Sequence, residues 1–187
     1  HVEADLISPV VKKIKSRLGQ YIYEDGERTL PEVVFSLLKE KGQTISFAES
    51  CTVGMISAKF GAISGVSQVF AGSVISYGNS VKEQILNVPS AILQQYGAVS
   101  KECAEAMASG VRKALNTDIA ISVTGIAGPD GGTPDKPVGT VYLGADYQGQ
   151  LTFEKHALRG NRERIRTVAS LYALHLAWRC LKEKSDN

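Results

Sequence analysis

Glycines crowd the stretch Thr124-Gly125-Ile126-Ala127-Gly128-Pro129-Asp130-Gly131-Gly132, and five of them fall within residues 125–139. Glycine has no Cβ to hold a ligand off the backbone, so such a run exposes N–H groups that can wrap an anion at the carboxyl end of a strand. The plainer alternative is a connection that only turns corners, but a loop this long after an apolar strand is more often a binding loop than a spacer. It matches neither GxxxxGK[ST] nor GxGxxG, so phosphate is suggested without a nucleoside triphosphate. A second candidate is Ala48-Glu49-Ser50-Cys51-Thr52, at a junction where an apolar run gives way to a helical pattern. There, helix N-terminal amides favour a phosphate or an oxyanion, although Ser50 could equally be a simple N-cap. Cys51 is a candidate thiol nucleophile, because a helix N-terminus lowers a thiol pKa. Against it, no histidine is near in sequence and cysteine is often a small buried hydrophobe.

Ser/His/Asp chemistry is poorly supplied. His156 falls on a predicted strand and His175 on the apolar side of the last helix near Leu171 and Trp178, which makes both packing or surface residues; His1 carries no functional weight. A serine hydrolase would need another base, and lysine serves when desolvation or a neighbouring cation leaves it neutral at working pH. Ser67, Tyr77 and Lys82 come within one short stretch, before, at the end of and after a predicted strand. Spacing alone does not make them a site: on residue type, Tyr77 reads as a strand-end aromatic and Lys82 as a solvated helix residue.

The elements that must carry these groups alternate in type. Ile7 to Leu18 sets Val10, Val11, Ile14 and Leu18 on one helical face with Lys12, Lys13, Lys15 and Arg17 opposite. Gln20 to Glu24 alternates into a short predicted strand, and Asp25-Gly26-Glu27-Arg28 reads as a turn. Residues 1–28 are therefore expected to be the tail of a preceding domain, with one domain from 29 to 187. Thr29-Leu30-Pro31-Glu32 has the capping-box pattern and Gly42 the C-terminal glycine of a helix. Strands are predicted at 44–48, 71–77, 118–124, 138–147 and 150–157, the last two a hairpin about Gln148-Gly149, and helices at 52–60, 80–86, 88–96, 100–115 and 162–182. Residues 118–124 (DIAISVT) are continuously apolar, as for a strand covered on both faces. The pattern predicts an α/β fold: a three-layer α/β/α sandwich on a mixed, mostly parallel sheet, with a small N-terminal appendage.

Composition narrows the function classes. The chain is 43% hydrophobic and 21% charged, which is ordinary globular usage, and no apolar run reaches bilayer-spanning length. Its net charge of +2 is dispersed, so no electrostatic footprint for nucleic acid stands out. Three cysteines, Cys51, Cys103 and Cys180, form neither a CxxC nor a zinc-ligand spacing and suit a reducing cytosol. The opening HVEADLISPV lacks the basic start and apolar stretch of a secretion signal, and a cytoplasmic protein is expected.

In these motifs the chain resembles the C-terminal domain of the CinA family, also met as stand-alone nicotinamide-mononucleotide amidohydrolases of the PncC type. AESCT at 48–52, SYGNSVKEQIL at 76–86, YGAVS at 96–100, SVTGIAGPDGG at 122–132 and KPVGTVY at 136–142 match in family order and are together very specific. The resemblance covers Thr29 onward, with residues 1–28 similar to the end of the domain that precedes this one in longer CinA proteins. Those proteins also carry an N-terminal domain similar to molybdopterin-binding proteins.

The resemblance implies a bacterial enzyme of NAD metabolism and the pyridine nucleotide cycle that hydrolyses the carboxamide of nicotinamide mononucleotide by a Ser/Lys mechanism. It puts the nucleophile on Ser67 and the base on Lys82 with Tyr77 beside them, which replaces the plain readings of Tyr77 and Lys82. Substrate would lie among Ser50, Thr52, Thr124, Gly125 and Gly128, its phosphate on Arg162, with Arg164 and Arg166 competing for that role. No metal and no cofactor are implied. The rival reading is a catalytically weak interaction module of a competence- and damage-associated protein acting with RecA. A homo-oligomer is expected. Two departures stand out: Val53 replaces the first glycine of the usual AESCTGG, and Gly65-Val66-Ser67 replaces a common Gly-Ser-Ser. Either could narrow the pocket or abolish turnover.

Overall fold

The computed structural model describes residues 5–183; His1 lies outside them. The first helix, α1 (Ile7–Leu18), has the predicted bounds, but none of its residues is buried, and Leu6, Ile7, Val10, Ile14 and Leu18 are exposed. The strand predicted at Gln20 to Glu24 does not form. A single 3-10 turn, Gly19–Tyr21, closes through Ile22 N–H to the Gly19 carbonyl at 3.2 Å, and residues 22–29 join no sheet. Alternation signals a half-buried strand only where a ladder partner exists, and this segment has none.

Helix α2 (Leu30–Lys41) begins at the expected box: the Glu32 carboxylate accepts the Thr29 N–H at 2.6 Å, and Pro31 sits in the first turn. It ends at Gly42, whose φ of 62° is a left-handed value that glycine adopts without strain. Then come β1 (Ile45–Glu49), α3 (Met55–Gly61), β2 (Phe70–Ile75), α4 (Asn79–Leu86), α5 (Ser90–Gln95), α6 (Lys101–Leu115), β3 (Ile119–Gly125), β4 (Thr140–Tyr147), β5 (Gln150–Ala157) and α7 (Arg162–Glu183). Ser100 caps α6 by accepting the Cys103 N–H at 3.2 Å, as its position predicts.

The five strands among the described residues form one sheet in the order β2-β1-β3-β4-β5. β2, β1 and β3 are parallel, and β4 is antiparallel to both β3 and β5, so four of the five strands run the same way. Helices α2, α3 and α7 cover one face and α4, α5 and α6 the other, which makes the predicted three-layer sandwich. Side chains alternate accordingly along β1: Phe47 joins Phe60 and Phe70 in an aromatic cluster at centroid distances of 5.2–5.7 Å, while Ala48 packs in the layer of Met107 and Val111. β3 is buried throughout except at Gly125, the reason its sequence is continuously apolar. No described helix is long and apolar enough to cross a membrane.

One consequence of this order positions the site. The chain leaves β1 toward β2 on one side, whereas β3, on the other side of β1, hands on to β4. Successive connections therefore part company between β1 and β3, and the carboxyl ends of such a strand pair frame a crevice. The loops leaving that edge are the Ser50 segment and the glycine-rich stretch after Gly125.

Candidate active site

Ser50 follows the last residue of β1, and its N–H extends the ladder to the Val123 carbonyl at 3.0 Å. The turn beyond it is held from two sides. From below, the fully buried Glu49 carboxylate accepts the Thr52 hydroxyl at 2.7 Å, the Ile56 and Ser57 N–H groups at 3.1 and 2.9 Å, and the Ser57 hydroxyl at 2.6 Å. From α7, the Arg166 guanidinium donates to the Cys51 and Thr52 carbonyls at 3.2 and 3.0 Å. Val53 and Gly54 then turn the chain with φ of 50° and 82°, closed by Met55 N–H to the Thr52 carbonyl at 3.3 Å. Two successive left-handed residues define a type I′ turn, the geometry for which glycine suits both central positions.

Lys82 is the other pole. It lies on α4 and is 1% exposed, not a solvated helix residue. Its Nζ donates to the Ser76 carbonyl at 2.6 Å, the Tyr77 carbonyl at 3.2 Å and the Ser50 hydroxyl at 3.2 Å. Burial pulls its pKa below the ordinary lysine value, with smaller opposing effects from Cys103 and Cys51. The geometry suits a neutral amine as well as an ammonium. An amine keeps two N–H donors for the two carbonyls and has one lone pair left for the third direction, which is Ser50 Oγ.

The cavity between these groups is about 190 Å³ and is lined by Ser50, Cys51, Tyr77, Lys82, Ala98, Val99, Thr124, Gly125, Ala127 and Arg162. Arg162 opens α7, donating to the Gly128 carbonyl at 2.8 Å and to the Tyr77 hydroxyl at 3.4 Å. Thr124 lines the wall while its hydroxyl donates to the Ala98 carbonyl at 2.7 Å, pinning the 96–99 segment over the pocket. Gly125 is required sterically: a Cβ there would lie 2.8 Å from the Thr140 carbonyl oxygen and the Val141 side chain. Larger hollows of about 460, 890, 630 and 470 Å³ lie beside α2, between β5 and α7, between α4 and α6, and at the end of α4, and neither Ser50 nor Lys82 lines any of them. No group of three His, Cys, Asp or Glu side chains among the described residues is placed to hold a metal ion.

Several sequence expectations meet this geometry differently. Ser67 and Lys82 are not brought together: Ser67 is exposed on a 3-10 turn (Val66–Gln68) at the amino end of β2, and Lys82 follows the carboxyl end. Six strand residues separate the two ends, about 20 Å at about 3.3 Å per residue. The serine that meets Lys82 is Ser50, which its residue type and position mark as an anion-favouring strand end and equally as a plain cap. Thr52 is fully buried, its hydroxyl committed to Glu49, and it does not line the cavity. Gly128 borders the site only through its carbonyl, and a Cβ there would strike Val138. Cys51 lines the wall, but burial pushes its thiol up to about 12, so it stays protonated and unreactive at neutral pH. Of the three arginines, Arg162 faces the cavity and Arg166 is tied to the Ser50 turn. Arg164 packs its methylenes against Gly160. Val53 is not on the cavity wall, and Val66 lies on the Ser67 turn at the far end of β2, so neither departure narrows the pocket. Glu49, a support of the Ser50 turn, is assigned no role by the sequence, and a carboxylate ending an apolar strand is its only signal; Arg166, read from sequence as a phosphate candidate, braces the same turn instead.

A family model of the CinA C-terminal domain matches residues 27–181. A CinA-like protein of Dictyoglomus turgidum is 52% identical over 176 residues, covering 94% of this chain and 43% of that protein. A putative competence-damage inducible protein of Alkaliphilus metalliredigens is 48% identical over 169 residues, covering 90% of this chain and 41% of that protein. The chain thus spans less than half the length of the curated relatives it matches. Among solved structures, the competence/damage inducible protein CihA of Agrobacterium tumefaciens superposes with a TM-score of 0.79 at 33% identity, covering 81% of this chain and 93% of that one. A CinA superfamily protein from Klebsiella pneumoniae gives the same TM-score, 0.79, at 28% identity, covering 83% of this chain and 99% of that one. With its motifs in family order and its fold shared with these structures, the chain belongs to the CinA family.

Proposed function

We propose that this domain hydrolyses the carboxamide of nicotinamide mononucleotide, with Ser50 as nucleophile and Lys82 as its base. The observation that carries the reading is the 3.2 Å contact between Lys82 Nζ and Ser50 Oγ inside a cavity, with the Ser76 and Tyr77 carbonyls placed to take the two hydrogens of a neutral amine. Lys82 takes the Ser50 proton as Oγ attacks the carboxamide carbon. The proton then passes to the departing amine, ammonia leaves, and water deprotonated by the same lysine releases the acid from the acyl-serine. The product, nicotinic acid mononucleotide, belongs to the pyridine nucleotide cycle. Arg162 stands at the wall as the candidate phosphate partner, able to exchange its bonds to Gly128 and Tyr77 for a bidentate pair. The Ser/Lys chemistry is that of the family resemblance. What changes is the serine: Ser50 rather than Ser67.

Ammonia release from nicotinamide mononucleotide tests the reading. Ser50→Ala is expected to lower kcat by about 1,000-fold or more, as loss of a covalent nucleophile does, while Ser67→Ala stays within about twofold. The opposite pattern would return the nucleophile to Ser67. The competence and damage names of relatives suit a second reading, a recruitment module, for which the family resemblance alone supplies RecA as partner. That role needs no amidase, so a wild-type chain that binds RecA and releases no ammonia would replace the first reading with the second.

A further inference from the structure

We infer that Glu49 is a positioning residue for the Ser50–Lys82 pair; the inference rests on Ser50 being the nucleophile. Glu49 is fully buried and does not line the cavity. Its charge is met by hydrogen-bond donors. Oε2 takes the Thr52 hydroxyl and the Ile56 N–H, and Oε1 takes the Ser57 N–H and hydroxyl. A buried carboxylate so engaged cannot shift without stranding a backbone N–H, so it fixes the turn from Ser50 to the start of α3.

The main chain of the same residue reaches the base. The Glu49 carbonyl accepts the Ser76 N–H at 2.8 Å, the Ser76 carbonyl accepts Lys82 Nζ at 2.6 Å, and Lys82 Nζ reaches Ser50 Oγ at 3.2 Å. Ser50 is covalently next to Glu49, so the links close a ring through both reacting groups. Glu49 therefore sets where the hydroxyl stands relative to the amine, and a displacement of about 1 Å at a reacting atom costs about 100-fold in rate. A carboxylate that merely capped α3 would be felt in stability alone.

The decisive variant is Glu49→Gln, which keeps the shape and turns one acceptor oxygen into a donor. The Thr52 and Ser57 hydroxyls can rotate to accept, but one of the Ile56 and Ser57 N–H groups is left facing an N–H. The 187-residue chain is assayed for ammonia release, pH–rate profile and rate of Ser50 labelling by a fluorophosphonate, with rates normalised to labelled sites. Expected are a kcat lower by about tenfold or more at little-changed KM, an unmoved profile midpoint, slowed labelling, and partial recovery in Glu49→Asp. A wild-type kcat per labelled site with only a lower Tm makes Glu49 a cap and overturns the inference. A shifted profile midpoint does so too, because the charge would then act on Lys82 directly. So does a wild-type Ser50 that resists the probe. If Glu49→Gln does not fold, Ser57→Ala, which removes one of the donors, is expected to slow labelling by about threefold, and an unchanged rate overturns the inference. A wild-type chain that releases no ammonia, yet labels at Ser50 quickly and in Glu49→Gln slowly, ends the amidase reading and leaves the role of Glu49 intact.

Discussion

Val53, at φ 50° with a branched Cβ, occupies a backbone region that L-residues other than Asn and Asp seldom enter. The matching position in the family motif is a glycine, and the type I′ turn supplies the reason. The departure therefore bears on strain, away from the cavity wall. Relief of left-handed strain is worth about 1–2 kcal/mol, and the extra chain freedom of glycine takes back about 0.5–1 kcal/mol. Val53→Gly is expected to stabilise the domain by about 0.5–1 kcal/mol and raise Tm by about 2–3 °C, read by thermal unfolding. An unchanged or lower Tm would mean that Val53 packing outweighs the strain. Lys82 carries the other prediction at this scale. Because burial lowers its pKa, the neutral amine gains population as pH rises toward and through that lowered value, so kcat/KM should climb with pH over that window. Lys82→Arg keeps the charge in a group that does not deprotonate and should be as inactive as Lys82→Ala. An arginine variant near wild type across the pH series would remove proton transfer from the mechanism.

At the scale of elements, α4 must bring Lys82 to the carboxyl edge of β1, and α6 is the surface it rests on. Contact is close where Gly110 of α6 faces the end of α4: a Cβ at Gly110 would fall on the Leu86 carbonyl oxygen. Backbone cannot yield there as a flexible side chain could. Gly110→Ala should push α4 outward, costing about 1–3 kcal/mol as overpacking does and lowering kcat along with Tm, because the helix that moves bears the base. Denaturant unfolding and ammonia release measured on the same variant check both. Full activity at reduced stability would show α4 adapting without displacing Lys82.

The whole molecule assembles a site from parts far apart in the chain. Arg162 meets the Tyr77 hydroxyl across 85 positions and the Gly128 carbonyl across 34, so one guanidinium joins the β2 exit, the glycine loop and α7. If it takes the substrate phosphate, Arg162→Met should raise KM for nicotinamide mononucleotide by about tenfold or more, the scale of a charge-assisted pair. The same change should do little to the riboside, which lacks the phosphate. Equal penalties on the two compounds would assign Arg162 to holding the glycine loop.

Much was legible in the sequence because it is written locally. The Thr29 box, the Gly42 stop, the Gln148-Gly149 hairpin and the apolar run of β3 each depend on backbone preferences and burial within a few residues, and each stands where its residues predict. The strand expected at 20–24 failed because alternation cannot say whether a ladder partner exists. The site divided the same way. Lys82 and Tyr77 read as ordinary residues until the family motifs marked them, since lysine on a short helix looks solvated whether or not another layer covers it. Which serine faces that lysine was not local information at all. Ser67 is nearer to Lys82 along the chain, but β2 runs between them and carries them to opposite ends of the sheet. Parallel pairing of β1 with β2 brings Ser50, 32 positions away, to the same edge as Lys82. Sequence determined the elements; strand direction and order, which arise only when the sheet assembles, decided the pair.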